Sequence, residues 1–258
     1  MRTTFQSVRT NDRLVTNRAL HDVIVVKWFR FNFLEGQCMK INMYTSLLAS
    51  ILVQVVTGII EFGALFFRVP SQYTLLKQMM LLEVLVQCIE GSFYIYWFFH
   101  FKAITNITPS RYFDWMITTP TMLVNLIMYL RFLGSQEPLD FFTVLGEERN
   151  TILTVVLLNW LMLFFGYLGE TSRIPVYVGV GLGFLPFFLY YYLIYTKYGL
   201  LSTEGTVLYY YFLFFWSLYG VVAVLPYTLK NMCYNVLDLF AKNFFGLFLT
   251  YLLFQVKQ

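Results

Sequence analysis

Charge is scarce in this chain: Asp, Glu, Lys and Arg make up 12% of its 258 residues, against roughly 25% in a soluble domain. That excludes an ordinary soluble fold and leaves no stretch for a soluble catalytic domain, so no enzymatic activity is expected. Cysteine is scarce as well. Cys38, Cys88 and Cys233 make no disulfide framework, and the last two fall inside apolar runs, where they read as small apolar fillers. His21 and His100 are too isolated to build a metal site, and no ligand spacing suggests one. The first residues lack the charged region, short apolar core and small-residue cleavage site of a signal peptide. No internal repeat or low-complexity tract is evident, and nothing points to nucleic acid.

Apolar and aromatic residues are abundant instead, at 59% and 21% of the chain, with a mean hydropathy of +0.63. Apolar windows between polar interruptions predict an all-α, seven-transmembrane-helix bundle, a multi-pass protein of the lipid bilayer. The spans fall at about 42–67, 74–101, 109–133, 149–169, 174–196, 205–226 and 231–255. An odd number of spans puts the two termini on opposite sides. The loops are short except Gly134 to Arg149, whose Gly, Pro, Asp and Glu mark a solvated connection. Two regions follow: a basic tail, 1–40, and a membrane domain, 41–258. Within the tail, Ala19 to Leu34 mixes Val, Ile, Trp and Phe with charges and is too polar to span, which suits an amphipathic segment at the membrane surface. By the positive-inside rule this tail would face the cytoplasm.

Lys242 stands in the middle of the apolar stretch Val236 to Phe254. An ammonium at that depth costs roughly 2.5–3.5 kcal/mol on insertion scales. Asp238, one turn earlier on the same face, lowers that cost. Two readings stay open from these residues alone: a charge-paired structural lysine, or an amine that forms a Schiff base with a carbonyl compound. The third span reads Arg111-Tyr-Phe-Asp-Trp-Met-Ile-Thr-Thr-Pro. Arg111, Asp114, Thr118 and Asn125 lie on one face of its helix. Such an intramembrane stripe suits a proton or ion pathway, or a buried ion pair that fixes helix packing.

The run RYFDWMITTP on the third span, with LDLFAK on the seventh, resembles the microbial (type 1) rhodopsins. The resemblance covers about 42–255 and is that of a bacteriorhodopsin-like core with channelrhodopsin-like features. It implies a retinal pocket, with all-trans retinal held on Lys242 as a protonated Schiff base. Asp114 and Asp238 would be its counterions, Asp114 also the proton acceptor, and Arg111 would sit on their extracellular side. Thr118 would hydrogen-bond Asp114 from one turn above. Trp115, Trp216 and Tyr219 match the positions that hold retinal, with Tyr96 and Tyr112 at nearby ones, and an apolar Met122 resembles a green-absorbing form. The resemblance further implies a plasma-membrane photoreceptor with its N-terminus extracellular, against the charge rule, and a homo-oligomer such as a trimer.

Departures matter. Gly220 stands where relatives have proline and Ala223 where they have a further tryptophan, so the pocket is expected to be looser there. Asn159 is expected to face Thr119, a pair that influences gating in channelrhodopsins or simply satisfies two buried polar groups. Asn125 stands where relatives that pump have a carboxylate, and an amide donates no proton at any relevant pH. Glu61, Glu83 and Glu90 lie in the first two spans, the last two on one face. With Asn125 they read as the lining of an ion pathway, and negative lining attracts cations. A passive light-gated cation channel is therefore favoured over a light-driven outward proton pump, with cations or protons as the transported species. A photosensor acting through a partner is the third class, and no output domain is encoded in the chain.

Overall fold

The computed structural model describes residues 43–257, nearly all of one compact unit, Tyr44–Gln258. The basic tail lies outside the described residues. All described regular structure is helical. Seven helices are long and apolar enough to cross a membrane: α1 (Met43–Ala64), α2 (Ser71–Phe99), α3 (Thr108–Leu133), α5 (Arg149–Glu170), α6 (Val176–Gly199), α7 (Thr203–Ala223) and α8 (Tyr227–Val256). Each falls on a span expected from the hydropathy pattern, with ends displaced by a few residues.

The connection expected to be irregular holds a further short helix, α4 (Phe141–Glu147). Asp140 starts it, its carboxylate accepting from the backbone N–H of Phe142 at 2.9 Å and of Thr143 at 3.3 Å. Gln78 of α2 donates to the same carboxylate at 2.7 Å and accepts from Phe141 N at 2.8 Å, which ties the connection to the bundle.

Local sequence explains how the helices fit. Pro109 occupies the first turn of α3, where its missing N–H costs nothing. Pro120 stands inside α3 and leaves the carbonyl of Met116 without its helical donor. The indole of Trp160 on α5 donates to that carbonyl at 2.9 Å, so a helix defect becomes an inter-helix bond. α5 and α6 approach closely through glycine: a Cβ on Gly179 would lie 2.7 Å from the carbonyl oxygen of Phe165.

α1 is amphipathic in an unusual sense. Its buried positions include Ser50, Gln54, Thr57 and Glu61, a polar stripe at helical spacing, while Leu52, Ile59 and Phe62 face outward. Outward apolar residues meet lipid, so the inward stripe can be polar only if its groups find partners in the bundle. α8 is regular except for a π-helical turn, Leu239–Asn243. The extra residue in that turn leaves the neighbours Lys242 and Asn243 both buried.

Candidate functional site

The site is built from Lys242 outward. Its Nζ donates to Asp114 Oδ2 of α3 at 2.9 Å and lies 3.4 Å from Glu90 Oε1 of α2 and 3.8 Å from Asp238 Oδ1. Asp238 is the better-supported anion. Tyr94 OH donates to its Oδ2 at 2.5 Å, Tyr219 OH to its Oδ1 at 2.7 Å, and Arg111 Nη1 lies 3.3 Å from Oδ2. Asp114 accepts from Lys242, and its second oxygen has no donor. Arg111 is held in turn by Asn231 Oδ1 at 3.0 Å, by Asn235 Oδ1, and over the ring of Trp97 at 4.6 Å. Asn231 and Asn235 lie on α8 one turn apart, continuing the face that carries Asp238 and Lys242. Three buried carboxylates thus face two buried cations; both oxygens of Asp238 have donors, whereas Asp114 and Glu90 each keep one oxygen without a donor.

Beside Lys242 is an apolar cavity with Trp115, Met122, Trp216 and Tyr219 on its walls and Lys242 at one end. A second space shares Trp115, Trp216 and Tyr219 with it and continues past Gly220 and Ala223. The extension past Gly220 is partly filled by Phe184, whose ring would lie 2.5 Å from a Cβ there. An amine closing an aromatic-walled apolar cavity suits an elongated apolar ligand that carries a carbonyl group.

Two expectations are corrected. Tyr96 is not on the cavity wall: it is 51% exposed and packs on His100. Tyr94 takes the inward direction, two residues and so about 200° away around the helix. Thr118 does bond to Asp114, but to its backbone carbonyl at 3.0 Å rather than to its carboxylate, the usual back-bond of a helical threonine.

The remaining expected residues fall in two places. Asn159 Nδ2 donates to Thr119 Oγ1 at 2.7 Å, joining α5 to α3 beside the cavity. Asn125 Nδ2 donates to Glu83 Oε1 at 2.7 Å, joining α3 to α2. Glu90 links the Lys242 cluster to α1 by accepting from Gln54 Nε2 at 3.2 Å. Glu61 is fully buried near Glu83 and Gln87. Residues absent from the sequence reading complete this polar seam: Ser50, Gln54, Thr57, Gln87 and Asn243. Only the stripe on α1 had a signal in the sequence, the three- and four-residue spacing of polar side chains in an apolar span.

The family model for bacteriorhodopsin-like protein matches residues 42–256. Among solved structures, the viral rhodopsin OLPVRII is similar at 28% identity with a TM-score of 0.72, over 84% of this chain and 99% of that one. Xanthorhodopsin, described as a light-driven ion pump with dual chromophore, shares the fold at 19% identity and a TM-score of 0.67, over 83% and 93% of the two chains. Exiguobacterium sibiricum rhodopsin does so at 16% and 0.66, over 83% and 96%. No curated protein matches the sequence.

Proposed function

This chain belongs to the bacteriorhodopsin-like protein family and is a multi-pass membrane protein, and on that premise we propose that it is a light-gated cation channel carrying all-trans retinal on Lys242. The cavity supports the cofactor: its aromatic walls suit a flat polyene, and its one amine suits condensation with an aldehyde, with loss of water. Retinal, when bound, supplies light absorption and a change of shape. The chain's own residues supply the rest. Asp238, held by Tyr94, Tyr219 and Arg111, supplies a hydrogen-bonded carboxylate beside the positive charge at Lys242. Asp114, with its single donor and one free oxygen, is the carboxylate that takes a proton released at Lys242. Asn159 and Thr119 report cavity shape to α5.

The observation that carries the channel reading is the polar seam between α1, α2 and α8. Gln54, Thr57, Glu61, Glu83, Gln87 and Glu90 are all buried, on helices whose other faces are apolar. With Ser50, these give α1 four successive polar turns, more than one ion pair needs, and oxygen-rich lining favours cations. One observation favours a proton pump as a second reading: Glu83, bonded to Asn125, places a carboxyl group where the amide cannot donate a proton.

The test is whole-cell photocurrent under green light with all-trans retinal supplied. A channel gives a current that reverses near the cation equilibrium potential and follows the cation gradient. A current of constant outward sign at all voltages sinks the channel reading and selects the pump. Lys242→Ala should abolish visible absorption, and an unchanged spectrum would sink the assignment of Lys242.

A further inference from the structure

The polar seam contains a group of oxygens that the proton chemistry at Lys242 does not use. Thr57 of α1 is its pivot. The Thr57 hydroxyl has one hydrogen, directed at the carbonyl of Val53 at 3.0 Å or of Gln54 at 3.1 Å. Its lone pairs accept from Gln87 Nε2 of α2 at 3.0 Å and from Asn243 Nδ2 of α8 at 2.5 Å. The two amide groups are therefore oriented, NH₂ toward Thr57 and carbonyl away from it. Neither Gln87 Oε1 nor Asn243 Oδ1 has a donor.

Glu61 follows Thr57 by one turn on α1, and Gly246 follows Asn243 by nearly one turn on α8. Glu61 is 0% exposed, and neither of its carboxylate oxygens accepts a well-formed hydrogen bond, the Gln87 amide lying nearby without good geometry. The carboxylate rests against α8 at Gly246, where any Cβ would collide with it. It is thus turned into the bundle, beside Gln87, with the Glu83 carboxylate near enough to repel it. Glu61, Gln87 and Asn243, on three helices around Thr57, leave four buried acceptor oxygens without a well-formed hydrogen bond. A proton on Glu61 would supply one hydrogen bond among them. A dehydrated hard cation takes several oxygens at once and also offsets the carboxylate charge.

We propose that Glu61, Gln87 and Asn243 form an intramembrane binding site for an alkali-metal cation, framed by Thr57 and Gly246. The proposal names where a conducted cation pauses, and it rests on the channel reading for that use. The test is equilibrium binding of radiolabelled sodium to the purified, retinal-loaded protein in the dark, at constant ionic strength held with choline. One saturable sodium site per chain is expected. Glu61→Gln keeps the volume, removes the charge, and should weaken sodium binding by about tenfold or more. Gln87→Met removes one oxygen and should weaken it less. An unchanged visible absorption band shows that each variant is folded, and Gln87→Met carries the test if Glu61→Gln does not assemble. No saturable binding by the wild type, or binding indifferent to both substitutions, overturns the site. Photocurrents recorded in parallel separate the two ideas. Sodium binding without a cation current leaves the site and removes the channel, whereas a cation current without saturable binding removes the site alone.

Discussion

Tyr219→Phe tests whether the two aspartates at Lys242 are unequal. Asp238 accepts from Tyr94 at 2.5 Å and Tyr219 at 2.7 Å and faces Arg111 at 3.3 Å, while Asp114 accepts from Lys242 at 2.9 Å. A hydrogen bond to a charged group contributes about 1.5–3 kcal/mol. Each 1.36 kcal/mol is tenfold in a proton equilibrium, so one phenol is worth about a ten- to hundredfold bias toward Asp114 as the protonated partner. Removing the Tyr219 hydroxyl keeps the ring, which stacks on Tyr234 at 5.6 Å between centroids, and takes away one such step. Adding Tyr94→Phe takes away a second. The assay is light-induced infrared difference spectroscopy of the carboxylic C=O stretch, assigned with Asp114→Asn and Asp238→Asn. In the wild type the light-induced band should vanish in Asp114→Asn and persist in Asp238→Asn. In the double phenylalanine variant a second band, lost with Asp238→Asn, should appear. A wild-type band that survives Asp114→Asn, or a double variant indistinguishable from wild type, refutes the inequality.

Three further outcomes follow from other parts of the bundle. Gly179→Ala places a methyl 2.7 Å from the backbone oxygen of Phe165, which cannot yield as a side chain can; a loss of about 1–3 kcal/mol is expected, and a midpoint of thermal unfolding equal to wild type would contradict it. Asn159→Leu breaks the 2.7 Å bond to Thr119 while keeping volume; the decay of the photocurrent should change at least several-fold with reversal potential intact, and identical decay would reduce the pair to packing. Partial burial pushes Glu148 up, but hydrogen bonds from Lys197 and Tyr198 and the charges of Lys197 and Arg131 outweigh it and hold the carboxyl below its ordinary range. A carboxyl lowered by folding stabilises the fold above its unfolded value and loses that contribution as pH falls through the folded value. Glu148→Gln should therefore lower stability by a constant amount at neutral and alkaline pH and flatten the acid side of the profile, and a variant with the wild-type acid limb would show that these partners contribute nothing.

Hydropathy was enough to place all seven spans because a bilayer demands long apolar runs whatever their neighbours are. The stripe on α3 and the pair Asp238–Lys242 could also be read directly, since 3.6-residue periodicity puts them on one face of one helix. The Thr119–Asn159 pair was anticipated from likeness to other proteins, and in the fold the two are bonded at 2.7 Å. Other features needed three dimensions. The choice of Tyr94 over Tyr96 depends on the rotation of α2 about its axis, which the apolar pattern of a helix facing lipid on one side and aromatics on the other defines poorly. Glu90 reaches Lys242 only because α2 packs beside α8 at that height. The short helix α4 arises from a cap at Asp140 that Gln78, 62 residues earlier, holds in place. Gln54, Thr57, Gln87 and Asn243 look unremarkable one at a time, scattered over three spans of the chain. Their meaning comes from convergence: an apolar solvent forbids buried polar groups without partners, and only the packing of α1 against α2 and α8 decides which partners those are.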